Sequence, residues 1–302
     1  MSYERVREVW LRCEELGFDS VWLYDHLVSV SSQNPFDVNL EGWTLLSSLA
    51  PQTDSIKVGI LVLCNNFRHP PLLAKMSSTL DVLTGGRLIV GIGAGWNDKE
   101  HSQYGLPFPR TGERLSRLEE AIEIIRLMWT NEESTFHGKY YTIDRAINSP
   151  RPKQKPHPPV LVGSLNGGEK IARIAAIHAD IYNTFATGLE DYKQKMLRFD
   201  SQVKKHRRDR RPVQRTITSW PTLIRSKSEV TEELSRRARK KGVSIRDYEV
   251  GTKDQLFGTP EMCAEALRMY ERAGLDGIIF GYSGSNSIEH LNMLVEVAQQ
   301  FS

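Results

Sequence analysis

SIKVGILVLCNNFRHPPLLAKMSSTLDVLTGGRLIVGIGAGW (Ser55–Trp96) is the stretch whose reading decides the fold. Val58–Cys64 is an uncharged, mostly apolar run, too short to span a membrane and of the right length for a strand buried on both faces. A segment opened by Pro70-Pro71 follows, with Leu72, Leu73, Met76, Leu80 and Leu83 at helical spacing. Gly85-Gly86 stops that helix, and Arg87–Ile92 reads as a second buried strand. Strand, helix and strand in this order make a β-α-β unit, the repeating element of a parallel sheet. Both strands run out into polar or glycine-rich sequence, CNNFRHPP and GAGWNDKE. Ligands sit at such strand ends in parallel α/β folds, so the pattern predicts an α/β enzyme with its site there.

The same alternation extends outward. Tyr3–Leu16 is an amphipathic helix, Asp19–Tyr24 a buried strand ending at Asp25-His26, and Glu41–Thr53 a helix. Downstream, Thr111–Thr130 repeats Leu115, Leu118, Ile122, Ile125 and Met128 at helical steps. Asn131–Pro159, rich in aromatics and proline, reads as an excursion that could hold a short hairpin. Val160–Gly163, Asp180–Phe185, Arg215–Ile224 and Gly274–Phe280 are the remaining strands, with helices over Gly168–His178, Asp191–Lys205, Pro260–Ala273 and Ser287–Phe301. Lys227–Phe257 is charged, helical in pattern, broken at Gly251 and longer than a connection needs, as a flap over a site would be. The count is seven strands in a single domain over residues 1–302.

With 39% hydrophobic and 25% charged residues and no long apolar run, the chain reads as a soluble globular protein with no membrane partner. Charges in MSYERVREVW interrupt any signal-peptide core, and Cys13, Cys64 and Cys263 lack metal-like spacing, which places the protein in a reducing cytoplasm. A net charge of +3 is too small to argue for nucleic acid. The basic run Lys204–Arg211 has no interleaved aromatics to stack on bases and reads as a solvated helix end.

The ordered set GFDSVWLYDHL (Gly17–Leu27), the opening stretch and PHPPVLVGS (Pro156–Ser164) resembles the bacterial luciferase-like family over nearly the whole chain. It is most similar to the branch that uses the deazaflavin coenzyme F420 in place of FMN. The resemblance implies a (β/α)8 barrel with the ring across the carboxyl ends of the strands. It also implies a strand ahead of the helix at Tyr3, which this sequence lacks, so two sheet edges are expected to stand open and the start of the gene is expected to lie upstream.

A histidine at a strand end can titrate near neutrality and move a proton, and the resemblance puts His26 beside the substrate and Asp25 against the ring. It also places Leu61 and Val62 at a non-proline cis peptide beneath the ring. Cys64 matches a position that approaches the ring, although its residue type serves equally as a small buried hydrophobe. GIGAGWN (Gly91–Asn97) is not a dinucleotide fingerprint: its glycines are spaced GxGxG, and a polar, proline-containing loop is expected after them. Gly93 and Gly95 are read instead as clearing room for a flat ring, and Asn97 matches a cofactor-bonding position. Trp96 stands near the place where sugar-phosphate dehydrogenases of the family keep an acidic proton acceptor. Indole cannot take that proton, so the sugar-phosphate reaction is not expected to carry over.

GSLNGGEK (Gly163–Lys170) joins strand to helix and offers backbone amides to an anion; the resemblance assigns the phosphate of the cofactor tail to Gly163, Ser164, Gly167 and Gly168. Glu169 is expected to face outward. Arg68 either meets an acidic cofactor tail or braces its loop. Glu100 and His101 find no third ligand at useful spacing, so no metal is expected. The resulting expectation is hydride transfer between F420 and a small organic substrate, with His26 handling the proton. An FMN-dependent monooxygenase and a non-catalytic flavin-binding member are the alternatives. A homodimer is implied by resemblance alone.

Overall fold

The computed structural model describes the chain except residues 31–33, 35, 207–211, 252–253, 284–285 and 302. Most of the basic run, Arg207–Arg211, therefore lies outside the described residues. The strands are β1 (Ser20–Leu23), β2 (Lys57–Ile60), β3 (Leu63–Cys64), β4 (Leu88–Gly93), β5 (Glu133–His137), β6 (Thr142–Ile147), β7 (Val160–Ser164), β8 (Ile181–Phe185), β9 (Gln214–Ser219), β10 (Thr222–Leu223), β11 (Phe257–Gly258) and β12 (Gly277–Phe280). The helices are α1 (Tyr3–Glu15), α2 (Gly42–Leu49), α3 (Pro70–Leu83), α4 (Asp98–Gln103), α5 (Thr111–Thr130), α6 (Glu169–His178), α7 (Leu189–Lys205), α8 (Lys227–Lys241), α9 (Ile245–Val250), α10 (Pro260–Arg272) and α11 (Ile288–Phe301). Local chemistry sets many of their ends. Pro70-Pro71 opens α3, and Gly85 and Gly86 follow it at φ +70° and +93°. Ser226 and Glu229 close a reciprocal capping box on α8.

Seven parallel strands run in the order β1-β2-β4-β7-β8-β9-β12, with β3 alongside β4. The sheet curls as a barrel wall. β4 shows why its sequence is apolar throughout: Leu88, Val90 and Ile92 pack outward into the helix-covered core, while Ile89 joins Leu161, Ile181, Trp22, Val62 and Ile279 on the inner face. Among the described residues no strand joins β1 to β12, and a cleft of about 980 Å³ lies between them, lined by Trp10, Trp22, Leu45, Ile89, Ile278 and Phe280. The expected pair of open edges is thus present.

The excursion after α5 holds the antiparallel hairpin β5–β6, and the charged segment folds as α8 and α9, consistent with a break near Gly251. Two local expectations change. The central strand is interrupted at Leu61-Val62, where the peptide bond is cis, as the resemblance implies. The sequence after Gly95 is not loop alone, because α4 starts at Asp98. Asn97 Oδ1 accepts the Glu100 amide, and Asp98 and Glu100 place negative charge at the helix start. No described helix is long and apolar enough to cross a membrane.

Candidate active site

Because the seven strands are parallel, their carboxyl ends share one rim, and the residues after β1, β3, β4 and β7 meet there. Asp25 lies behind the rim, 5% exposed. Its Oδ2 accepts the Cys64 amide at 2.8 Å, and both its oxygens pair with Arg68 at 2.8 and 2.9 Å. Arg68 also reaches Glu41 at 2.6 Å, and Glu41 in turn caps α2 through the amides of Trp43 and Thr44. Arg68 is therefore a brace that ties the ends of β1 and β3 to α2. Burial pushes the Asp25 carboxyl up, and Arg68 offsets part of that rise. Burial also works against the charge on Arg68, but Asp25 and Glu41 outweigh it and hold its pKa above the ordinary value.

His26 faces the rim with its side chain 20% exposed. Its Nδ1 lies 2.9 Å from Oε2 of Glu100, which is only 1% exposed. The other carboxylate oxygen accepts the amides of Leu27 and Val28, the latter at 3.2 Å. A carboxylate holding two backbone N–H groups is an acceptor, so Nδ1 carries the hydrogen and donates. That fixes the tautomer and leaves Nε2, which has no hydrogen-bond partner among the described residues, to exchange a proton. The Trp96 ring stands edge-on to His26 at 5.5 Å and is half exposed. Glu100 is the residue the sequence reading missed. In the sequence Glu100 stands in what reads as a polar loop and is weighed only as a metal ligand, and its burial and its bonds to Leu27 and His26 show its other role.

Cys64 is buried, and burial pushes its thiol up to about 12. The Asn97 carbonyl accepts from His101 Nδ1 at 2.7 Å, so His101 Nε2 is free to accept from Asn66 at 3.3 Å and from the Cys64 thiol at 3.7 Å. A neutral, donating thiol is not a nucleophile here.

The glycines prove to be spaced around side chains. A Cβ on Gly93 or Gly163 would stand 2.8 or 2.7 Å from a Val62 methyl, and one on Gly91 would stand 2.2 Å from the Ile60 carbonyl oxygen. At Gly95 (φ +76°) the neighbour is Cys64 Sγ at 2.7 Å. The space read as clearance for a ring is thus filled by Val62 and Cys64, which form the floor on which a ligand would rest.

The fourth part of the rim is the turn from β7 into α6. Ser164 Oγ accepts the Gly167 amide at 2.9 Å, and Gly167 takes φ +57°. Gly168 is the α6 N-cap and has no side chain to satisfy the first-turn amides. Lys195 donates to the Leu165 and Phe185 carbonyls, and Arg198 to the Gly167 carbonyl, which brings two cations under this turn. Glu169 is exposed and bonded to Gln202 at 2.7 Å, facing outward as expected. His26, Trp96, Asn97 and Val62 lie at the part of the rim after β1, β2 and β4, and Ser164–Gly168 at the part after β7. Asp25 and Cys64 sit behind it.

The family model described as luciferase-like monooxygenase matches residues 1–255. The chain is 37% identical over 186 residues to an F420-dependent glucose-6-phosphate dehydrogenase of Microbacterium testaceum, covering 61% of this chain and 53% of that one. It is 26% identical over 271 residues to an FMNH(2)-dependent dimethylsulfone monooxygenase of Pseudomonas putida, covering 80% and 73%. The chain spans about half the length of the dehydrogenases it matches. A solved F420-dependent secondary alcohol dehydrogenase, in complex with an F420-acetone adduct, superposes with a TM-score of 0.82 at 20% identity, covering 100% of this chain and 96% of that one. At that identity the likeness shows the fold.

Proposed function

The chain belongs to the luciferase-like monooxygenase family, and we propose that it is an F420-dependent oxidoreductase exchanging hydride with a small organic substrate. The observation that carries the reading is the His26–Glu100 pair, which presents a proton-exchanging Nε2 beside an exposed Trp96 at the strand-end rim. The relatives named for F420 support the coenzyme.

The residues present fit such a group. The rim has a smooth apolar floor at Leu61 and Val62, and the helix start at Gly168 keeps its amides free of any side-chain cap. On this reading Leu61, Val62, Gly95 and Asn97 hold the ring, and Gly163, Ser164, Gly167 and Gly168 hold the acidic tail, with Arg198 adding positive charge beneath and the charge of Lys195 paired with Asp191. Asp25 and Cys64 act through the backbone they fix. Bound F420 would supply the hydride acceptor or donor. His26 Nε2 would take up, or return, the proton that accompanies hydride transfer, and Glu100 would stabilise the imidazolium that forms. Trp96 would close one wall against water. The same resemblance supports a homodimer, which light scattering of the purified protein tests, while the cysteine usage supports a cytoplasmic protein and the composition and net charge of +3 support no membrane or nucleic-acid partner.

Parallel fluorescence titrations with F420 and FMN test the proposal. F420 is expected to bind more tightly, with His26→Asn keeping that affinity while turnover falls about 10²–10⁴-fold. Tighter FMN binding with oxygen-dependent turnover would favour the monooxygenase reading, which the Pseudomonas putida relative supports over a larger share of the chain. Binding of neither would overturn both.

A further inference from the structure

Helices α5 and α6 pack side by side on the outside of the barrel, and one cluster between them plays no part in the rim. Glu119 and Glu123 stand four residues apart, on one face of α5. His178 is the last residue of α6. Because α6 starts at the rim after β7 and returns to begin β8, His178 sits at the opposite end of the barrel from His26.

The His178 side chain is 9% exposed, and its Nε2 points between the two carboxylates, 3.7 Å from Glu119 Oε1 and 3.8 Å from Glu123 Oε1. Neither distance is a hydrogen bond. Both are long ion-pair contacts, and the imidazole nitrogen and the two carboxylates converge on one point between them. The three ligand atoms lie within 4.8 Å of one another. Around a tetrahedral zinc ion with bonds of about 2.0–2.1 Å, neighbouring ligand atoms are about 3.3 Å apart. Closing that difference needs a rotamer adjustment of Glu123, whose side chain is 44% exposed, and a shift of a few tenths of an ångström between His178 and Glu119. Glu119 is already oriented, since Arg173 holds its other oxygen, Oε2, and leaves Oε1 to face the histidine.

We propose that Glu119, Glu123 and His178 form a site for a divalent transition ion of the zinc class, completed by water, which fastens α6 to α5 at the barrel end remote from the reaction. One imidazole and two carboxylates suit zinc better than magnesium or calcium, which prefer all-oxygen shells. With Arg173 included, the cluster carries a net charge of about −1 when His178 is neutral, which a divalent ion reverses. Its role is structural, because no residue of the rim is shared with it.

The test is calorimetric titration of ZnCl2 into the full, tag-free chain, with Co²⁺ visible absorption as a second readout of ligand type. One zinc per chain is expected, with Co²⁺ bands of a nitrogen- and oxygen-bound tetrahedral site. At zinc about 100-fold above its Kd the melting temperature is expected to rise by about 5 °C. Glu123→Gln, at a half-exposed position where folding is not at stake, should weaken binding about tenfold or more, and His178→Asn should abolish the Co²⁺ bands. His26→Asn should leave both unchanged. Absence of zinc binding at 100-fold molar excess would overturn the proposal. Binding equal in the wild type and Glu123→Gln, or lost in His26→Asn, would overturn it too by placing the ion elsewhere.

Discussion

Replacing Arg68 by Met keeps the aliphatic stem and removes only the charge that faces Asp25. In the folded chain Asp25 would then be left with a single backbone donor, the Cys64 amide, inside a region where it is 5% exposed. Opposite charges about 4 Å apart attract by about 4 kcal/mol at an effective dielectric near 20, and breaking one side of a buried pair costs about 3–5 kcal/mol. The two figures agree, and the exposed Glu41 arm adds little. The loss should depend on pH in a defined direction. Burial already lifts the Asp25 carboxyl above its unfolded value, so its stabilising contribution is complete below the unfolded pKa and is lost as pH rises through the folded pKa. Removing Arg68 raises the folded pKa further and widens that window. Arg68→Met should therefore be destabilised by about 3–5 kcal/mol at pH 8, and the penalty should shrink by about 1.4 kcal/mol per pH unit within the window as pH falls toward 5. Urea unfolding followed by tryptophan fluorescence at several pH values measures both. A loss under about 1 kcal/mol at pH 8, or one that grows toward acid, would refute the reasoning. The double variant Asp25→Asn/Arg68→Met should recover most of the loss, since neither charge is left alone.

Glu100→Gln should lower turnover about 10–100-fold and displace its pH profile while leaving coenzyme affinity intact; an unmoved pH profile would remove Glu100 from the positioning of His26. Gly91→Ala, whose Cβ would stand 2.2 Å from a backbone oxygen, should cost about 3 kcal/mol or more of stability. Gly112→Ala, with nothing within 4 Å in the first turn of α5, should instead gain about 0.5–1 kcal/mol by the same urea assay. Cys13, Cys64 and Cys263 are all buried, with thiols pushed up to about 12, so the native protein should resist a thiol reagent at pH 8 and react at all three positions once unfolded.

The barrel wall was legible because its strands are apolar on both faces and its helices keep their periodicity; Thr111–Thr130 agrees end to end. Asp25 and His26 could be singled out because they terminate a buried strand. What they do could not, since Arg68 is 43 residues from Asp25 and Glu100 is 74 residues from His26. Glu100 reads only as an acid in a polar loop with no third metal ligand, because neither the short helix α4 nor its burial against His26 shows in the spacing. Gly93 announced that space was needed but not what would take it, and Gly163 reads only as a phosphate contact. The occupant, Val62, lies in the break between β2 and β3. Glu119 and Glu123 do not stand out in the periodicity of Thr111–Thr130, and His178 joins them only through the packing of α5 on α6.

The packing of Val62 against Gly93 and Gly163 has a consequence for anyone who would reshape this pocket. A larger residue at either glycine is admissible only together with a smaller one at Val62, so single-site libraries would score both glycines as intolerant. Trp96 and Leu165, by contrast, are exposed along the same rim. Diversity introduced there can retune which substrate is accepted, while paired exchanges at Val62 and its glycines would shift the level of the floor itself.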